Sequence, residues 1–452
     1  MINKKKEKLV YHILSNVLLF IIILIDSILM KSQAVFCFGL LIQLLVGIIT
    51  FSYNANRIKF VYFSYVFGMI FVSIMYFSLI AEHGVPYFNS QGSDDLFYEK
   101  QAFNTTSLNI GLLEFLNNNP LDLYKQLTLY IFILSKMISF GNLFDGYHVF
   151  MSRQFNVFLI VFIVNMLYFI VNKGYNFSSK EKTRFLITIS IFPNFFYLAS
   201  YTFRDILSCF LVIVLIWALT HLKVNKTGKG IIYYLFVIFA IVLQFYVRTF
   251  VMYIMIIITL INFIDFVPKK YKFVIIIGIT SCTSLLFLNE ISSIFSEGLN
   301  KVDNYAEFRA NEKTSGLVSI FTDTPLLPFG IFLRFIYGFI QPNPSFSYLF
   351  GDYAFSYASM TTFIGIGTLY ILTQIPYAIK GFIKPLDKLS VTFLLFYLVF
   401  LASLTFRHLV LIYPFIFLLI ARGRENKITK FKEIYQLYIL GLIFVYIVYS
   451  II

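Results

Sequence analysis

Apolar runs of roughly 17 to 24 residues recur from one end of this chain to the other, each long enough to cross about 30 Å of hydrocarbon. Nothing else limits the fold so sharply. A segment in lipid finds no water for its backbone polar groups, and a helix satisfies them within itself. The expected fold is all-α: a polytopic integral membrane protein with one transmembrane domain over residues 1–452, no internal repeat and no soluble domain. The first run, about 9 to 30, is too long for a secretory h-region and lacks a small-residue cleavage site, so it reads as a retained span.

Only 13% of the residues are charged against 59% hydrophobic, so each charge carries information. The formal net charge is +14, but the lysines and arginines are spread over short connectors instead of forming a stripe or arm. That pattern speaks for topology and against a nucleic-acid partner. Cys37, Cys209 and Cys282 lie inside apolar runs without paired spacing and read as buried small hydrophobes, not as a disulfide framework or metal site. No phosphate-cradling glycine loop, GxSxG or zinc-helix motif is present, and no cofactor is implied.

Lysine and arginine near span ends set orientation. With the N-terminus in the cytoplasm, spans near 9–30, 35–52 and 58–81 deliver residues 82–150 to the outer face. Within that segment the apolar stretch 123–140 carries Lys125 and Lys136 and reads as an interfacial or re-entrant helix. Spans near 149–172, 185–203, 206–222, 231–247, 250–267 and 273–289 follow. A second outer segment, 290–356, holds the short run 326–341 with Pro328 and a central Arg334, again interfacial or re-entrant. Spans near 357–380, 389–405, 409–421 and 433–452 complete about thirteen, with roughly two-thirds of the 36 basic residues on the inner side.

The charges that this rule leaves over are the informative ones. Arg204, Arg248 and Arg407 all fall at outer hairpin turns, with Arg334 on the same side. Guanidinium groups stay charged and grip phosphate bidentately, so an outward cluster at headgroup level suits a lipid-linked phosphate or pyrophosphate, with His408 beside it. The stretch Gly92 to Glu99 adds three acids within six residues. In a helix, Asp95 and Glu99 share one face and Asp94 and Tyr98 another. Capping that helix is one task for these acids; taking a proton from an attacking sugar hydroxyl is another, which makes Asp94, Asp95 and Glu99 candidate catalytic residues. Asp205 is placed to orient a neighbouring arginine.

These residues carry a resemblance. Gly92-Ser93-Asp94-Asp95 with Tyr98 and Ala102 is similar to the acidic first-loop motif of GT-C class polyprenyl-dependent glycosyltransferases. Phe192-Pro193, Ser200, Phe203-Arg204-Asp205, and Arg407 ahead of Pro414 resemble segments of the Wzy-type polymerases of capsule and O-antigen assembly. The resemblance implies polymerisation of undecaprenyl-pyrophosphate-linked oligosaccharide repeat units at the outer face of the plasma membrane. It implies no nucleotide sugar, and a chain-length regulator and a flippase as partners. A GT-C transferase using a polyprenyl-phosphate sugar, and a transporter or flippase of the same lipid-linked saccharides, are the alternatives. The transporter predicts ionisable residues at mid-membrane depth, of which Asp26 is the clearest.

A cysteine placed at position 94 (D94C) is expected to react with membrane-impermeant thiol reagents from the outside only. Labelling solely from the cytoplasmic side would invert the topology.

Overall fold

The computed structural model describes residues 2–87, 94–117, 128–224, 230–264, 330–340, 357–382, 387–403, 406–425 and 431–451. Among them every regular element is helical. Five helices are long and apolar enough to cross a membrane: Lys8–Met30, Gln33–Thr50, Ala55–His83, Phe150–Gly174 and Asp205–Val224. Ile231–Val247, Thr249–Phe263 and Lys388–Leu401 are apolar but shorter, and residues 273–289, expected as a span, lie outside the described residues. The structure thus shows a helical, membrane-type protein, with five candidate spans among the described residues where about thirteen were expected over the whole chain.

The first helix shows what its surroundings must be. Only 17% of its most apolar window is buried, leaving Leu14, Val17, Leu18, Ile21, Ile25 and Ile28 exposed along it. An exposed apolar face of this length calls for an apolar solvent.

Local chemistry sets the element ends. Asn54 Oδ1 accepts the Arg57 N–H at 2.9 Å, and Ser32 and Ser178 cap the helices that follow them. Gly84, at φ +71°, closes Ala55–His83 in the left-handed conformation that glycine adopts without a Cβ clash. The continuous helix expected over 185–203 is instead two, Ser179–Ser190 and Pro193–Ala199, followed by a non-helical turn. Pro193 is the reason: it lacks an N–H and disfavours helical geometry in the residue before it, and Phe192 is extended.

Phe150–Phe169 occupies the centre, against Ala55–His83, Asp205–Val224 and Gln33–Thr50. Its residues Val157, Ile160, Val161 and Val164 are almost wholly buried. Close backbone approaches fix several crossings. A Cβ on Gly68 would strike Phe196 at 2.6 Å and Val157 at 2.8 Å, and one on Gly423 would meet the Tyr377 carbonyl, where Tyr413–Glu425 crosses Tyr357–Phe382.

The bundle has two chemically different ends. At one, Arg57 Nε donates to Asn165 Oδ1 at 2.7 Å, Arg424 donates to Gln374 at 2.6 Å and approaches Glu181 at 3.5 Å, and Arg422 pairs with Asp387. These are connectors expected to face the cytoplasm. At the other end Asp145 accepts the N–H groups of Gln33 and Ala34 at 2.7 and 2.8 Å, joining the turn after the first helix to the loop that follows Leu129–Gly141, both expected on the outer face.

Replacing Gly423 by alanine should lower stability by about 1–3 kcal/mol through overpacking, because its neighbour is backbone and cannot rotate away. Thermal unfolding of the detergent-solubilised protein reads the change, with Gly441→Ala, which lies in open space within the helix Phe431–Ile451, as the control that should keep or slightly gain stability.

Candidate functional site

The acidic helix runs from Asp94 to Ser107 and packs on Leu129–Gly141, the helix within the expected interfacial stretch 123–140. Residues 92 and 93 lie outside the described residues. Its helical period sorts the three acids. Asp95 and Glu99 are 1% and 7% exposed, turned inward together as their spacing dictates. The Asp94 side chain is 48% exposed. The Asp94 and Asp95 carboxylates therefore serve separate surroundings and do not converge as a pair.

Asp94 meets the arginine turns. Its Oδ2 accepts from Arg407 Nη2 at 2.7 Å, linking residues 313 positions apart in sequence. Arg407 lies in the 3-10 turn Phe406–Leu411, with its guanidinium 4.5 Å from the Phe203 ring centre. Arg248 forms the extended break between Ile231–Val247 and Thr249–Phe263. It donates to Asp205 Oδ1 at 2.6 Å, where the two side chains are 12% and 2% exposed. Asp205 opens the helix Asp205–Val224, where the helix dipole also favours an acid. Arg204 has no carboxylate partner among the described residues. Its Nη1 donates to the Val247 carbonyl at 3.1 Å, at the electron-rich end of a helix, and its guanidinium stands 5.9 Å from the Tyr98 ring centre.

Three hairpin turns far apart in the chain thus deliver three guanidiniums to one place, against two carboxylates. Their charges reach each other: Arg204 and Arg407 both act on Arg248, and Asp205 acts on Arg407 together with Asp94. Burial pulls the Arg407 pKa down, but the two carboxylates outweigh it and hold the group charged. His408 belongs to the cluster as well. Burial first, then Arg248, Arg407 and Arg204, hold its imidazole well below the usual range, so it is neutral at pH 7. Arg204 Nε and Arg248 Nε are buried without a hydrogen-bond acceptor. A site with one surplus positive charge and spare donors is suited to an anion.

Arg334, the fourth arginine expected here, is 3% exposed on Ile331–Ile340, a helix packed on Tyr357–Phe382 and Lys388–Ser403. The structure gives it a place beside the late helices.

Beneath the arginine turns lies a second group of polar side chains. Tyr87 donates its hydroxyl to Glu99 Oε2 at 2.6 Å. Burial raises the Glu99 pKa, against the opposing effects of Tyr87 and the nearby Arg153. Arg153 is 1% exposed and packs on the Tyr76 ring at 4.8 Å. Burial, then Arg153, lowers the His148 pKa to about 4. Sequence reasoning passed over Arg153 and His148; the polar triplet Ser152-Arg153-Gln154 opening an apolar run was the available signal. Among the described residues no three metal-ligating side chains gather. No family model, curated protein or solved structure matches the chain.

Removing Asp205 while keeping Arg248 strands a buried charge, so Asp205→Ala should cost about 3–5 kcal/mol of stability. Asp94→Ala should cost less, about 1 kcal/mol, because the Asp94 side of its pair with Arg407 is about half exposed to solvent. Thermal or denaturant unfolding of both variants in detergent checks the contrast, and equal losses would contradict the division between a buried and an exposed pair.

Proposed function

We propose that this chain is a membrane glycosyltransferase of the polysaccharide-polymerase type, joining oligosaccharide repeat units carried on undecaprenyl pyrophosphate. In this reading it crosses the plasma membrane about thirteen times, with the arginine turns and residues 82–150 and 290–356 on the outer face. The stretches 123–140 and 326–341 form the lipid-side walls of the cleft. The observation that carries the reading is the meeting of Asp94, Arg204, Arg248 and Arg407 from four separate parts of the chain.

The chemistry follows from the unequal strength of the two ion pairs. Asp205 and Arg248 are buried and stay joined. Asp94 and Arg407 are partly in water, where such a pair contributes about 0–1 kcal/mol, so a pyrophosphate with several charges displaces Asp94 from Arg407. The anion then rests on Arg204 and Arg407, and the released Asp94 carboxylate is free to act as base. The acceptor sugar hydroxyl attacks the anomeric carbon of the donor and yields its proton to Asp94. The bond from that carbon to the pyrophosphate oxygen breaks, and the charge growing on the leaving oxygen is met by guanidiniums already in place. Asp95 and Glu99 stand behind this carboxylate, buried, and His408 supplies a neutral imidazole beside the arginines. The partners are the lipid-linked oligosaccharide and the bilayer, with a flippase and a chain-length regulator upstream and alongside.

Replacing Asp94, Arg204 and Arg407 one at a time in the native host should lower long-chain polymer about a hundredfold, the loss typical of removing one group that stabilises transition-state charge. Single repeat units should accumulate on lipid. A polysaccharide gel reads the result: truncated units would point to the alternative transferase reaction, and unchanged ladders for all three variants would sink the assignment.

A further inference from the structure

Arg153 has no step in that mechanism, yet it joins the two halves of the site. It lies in the first turn of the central helix Phe150–Phe169 and heads the fully buried side chains by size. A guanidinium this far from water is costly unless most of its donors and its charge are used, and of its three nitrogens Nη1 alone is buried without an acceptor. Its Nε donates to the Ser200 carbonyl at 2.7 Å and its Nη2 to the Pro86 carbonyl. Ser200 stands four residues before Arg204, in the non-helical turn after Pro193–Ala199. Pro86 stands in the stretch after Gly84 that leads towards Asp94.

The two stretches are held unequally. The turn at 200–202 has two further ties to the same helix: Asn156 Nδ2 donates to the Tyr201 carbonyl at 2.8 Å, and the Ser152 and Thr202 hydroxyls meet at 2.9 Å. The stretch at 84–87 is joined to the central helix through Arg153, and onward to the acidic helix through the Tyr87–Glu99 hydrogen bond. The charges of Asp95 and Glu99 also act on Arg153. The guanidinium meets the two carbonyls from two separate nitrogens held in a rigid planar fork, whereas a lysine ammonium gathers its donors on one nitrogen at the end of a flexible stem and does not fix their separation.

We propose that Arg153 is a positioning residue that sets the register between the acidic helix and the Arg204 turn, fixing where Asp94 stands relative to the guanidiniums without touching the saccharide. The proposal rests on reading the arginine turns as an anion site. Its test is hydrogen exchange on the full-length protein in detergent, paired with the affinity for inorganic pyrophosphate measured by thermal shift. Arg153→Lys is expected to elute as a single species, to raise exchange about tenfold in both 84–107 and 200–208, and to weaken pyrophosphate binding about five- to tenfold, with the Arg57 end of the bundle unchanged. Tyr87→Phe should loosen 84–107 alone. If Arg153→Lys fails to fold, Tyr76→Leu, which removes the ring beneath the guanidinium and leaves its donors in place, should give the same paired pattern at smaller size. A rise confined to one stretch, a rise spread evenly over the bundle, or loosened stretches with unchanged pyrophosphate affinity would overturn the proposal. Absence of pyrophosphate binding by the unaltered protein would instead sink the anion-site reading, and the exchange comparison would still decide whether Arg153 joins the two stretches.

Discussion

Guanidinium groups resist burial, and the end of the bundle that carries the candidate site is arranged around four of them. Taking such an ion out of water costs several kcal/mol even after the surroundings relax, so each must find acceptors where it lies. Arg248 finds Asp205, Arg204 the end of a helix, Arg407 Asp94, and Arg153 two carbonyls and an aromatic face. Each solution joins segments distant in sequence. The hairpins therefore close in a common register, and the acidic helix docks with its exposed carboxylate over the arginine turns.

The same arrangement separates parts that hold from parts that can let go. The Asp205–Arg248 pair is nearly dry and is reinforced from below, where Gln244 donates to Ser208 at 2.8 Å. In the Asp94–Arg407 pair the carboxylate sits about half in water and the guanidinium is mostly covered. In the proposed function an arriving anion exchanges with the second and not with the first, because separating the charges costs less there. Rigidity in the floor and exchangeability at the rim are what an anion-handling surface requires.

The break before Pro193 belongs to this design. A continuous helix through 185–203 would carry the chain past the central helix with its backbone polar groups satisfied internally. Ending at Ala199 instead frees the carbonyls of Ser200 and Tyr201, and Phe150–Phe169 answers them with Arg153 and Asn156. The non-helical turn then presents Phe203, Arg204 and Asp205 in succession: a ring under Arg407, a spare guanidinium and the partner of Arg248.

Much of this was legible in the residues. Apolar run lengths set the helices, whose bounds at Gln33–Thr50, Ile231–Val247 and Asp205–Val224 fall close to those expected, since hydrocarbon thickness is a length that sequence can express. Period and charge placed Asp95 with Glu99 and the three arginines on turns. What periodicity cannot express is which turns meet. The pairing of Asp94 with Arg407 and Asp205 with Arg248, the burial of Arg334 beside the late helices, and the burial of Arg153 depend on how helices cross. Those crossings are set by glycine contacts such as Gly68 on Phe196 and Gly423 on Tyr377, and by the kink at Pro193. The sequence by itself determined an all-helical chain with charges gathered at its turns; only the tertiary structure decided their partners, because a buried charge is paired by proximity in space, and proximity is a property of packing.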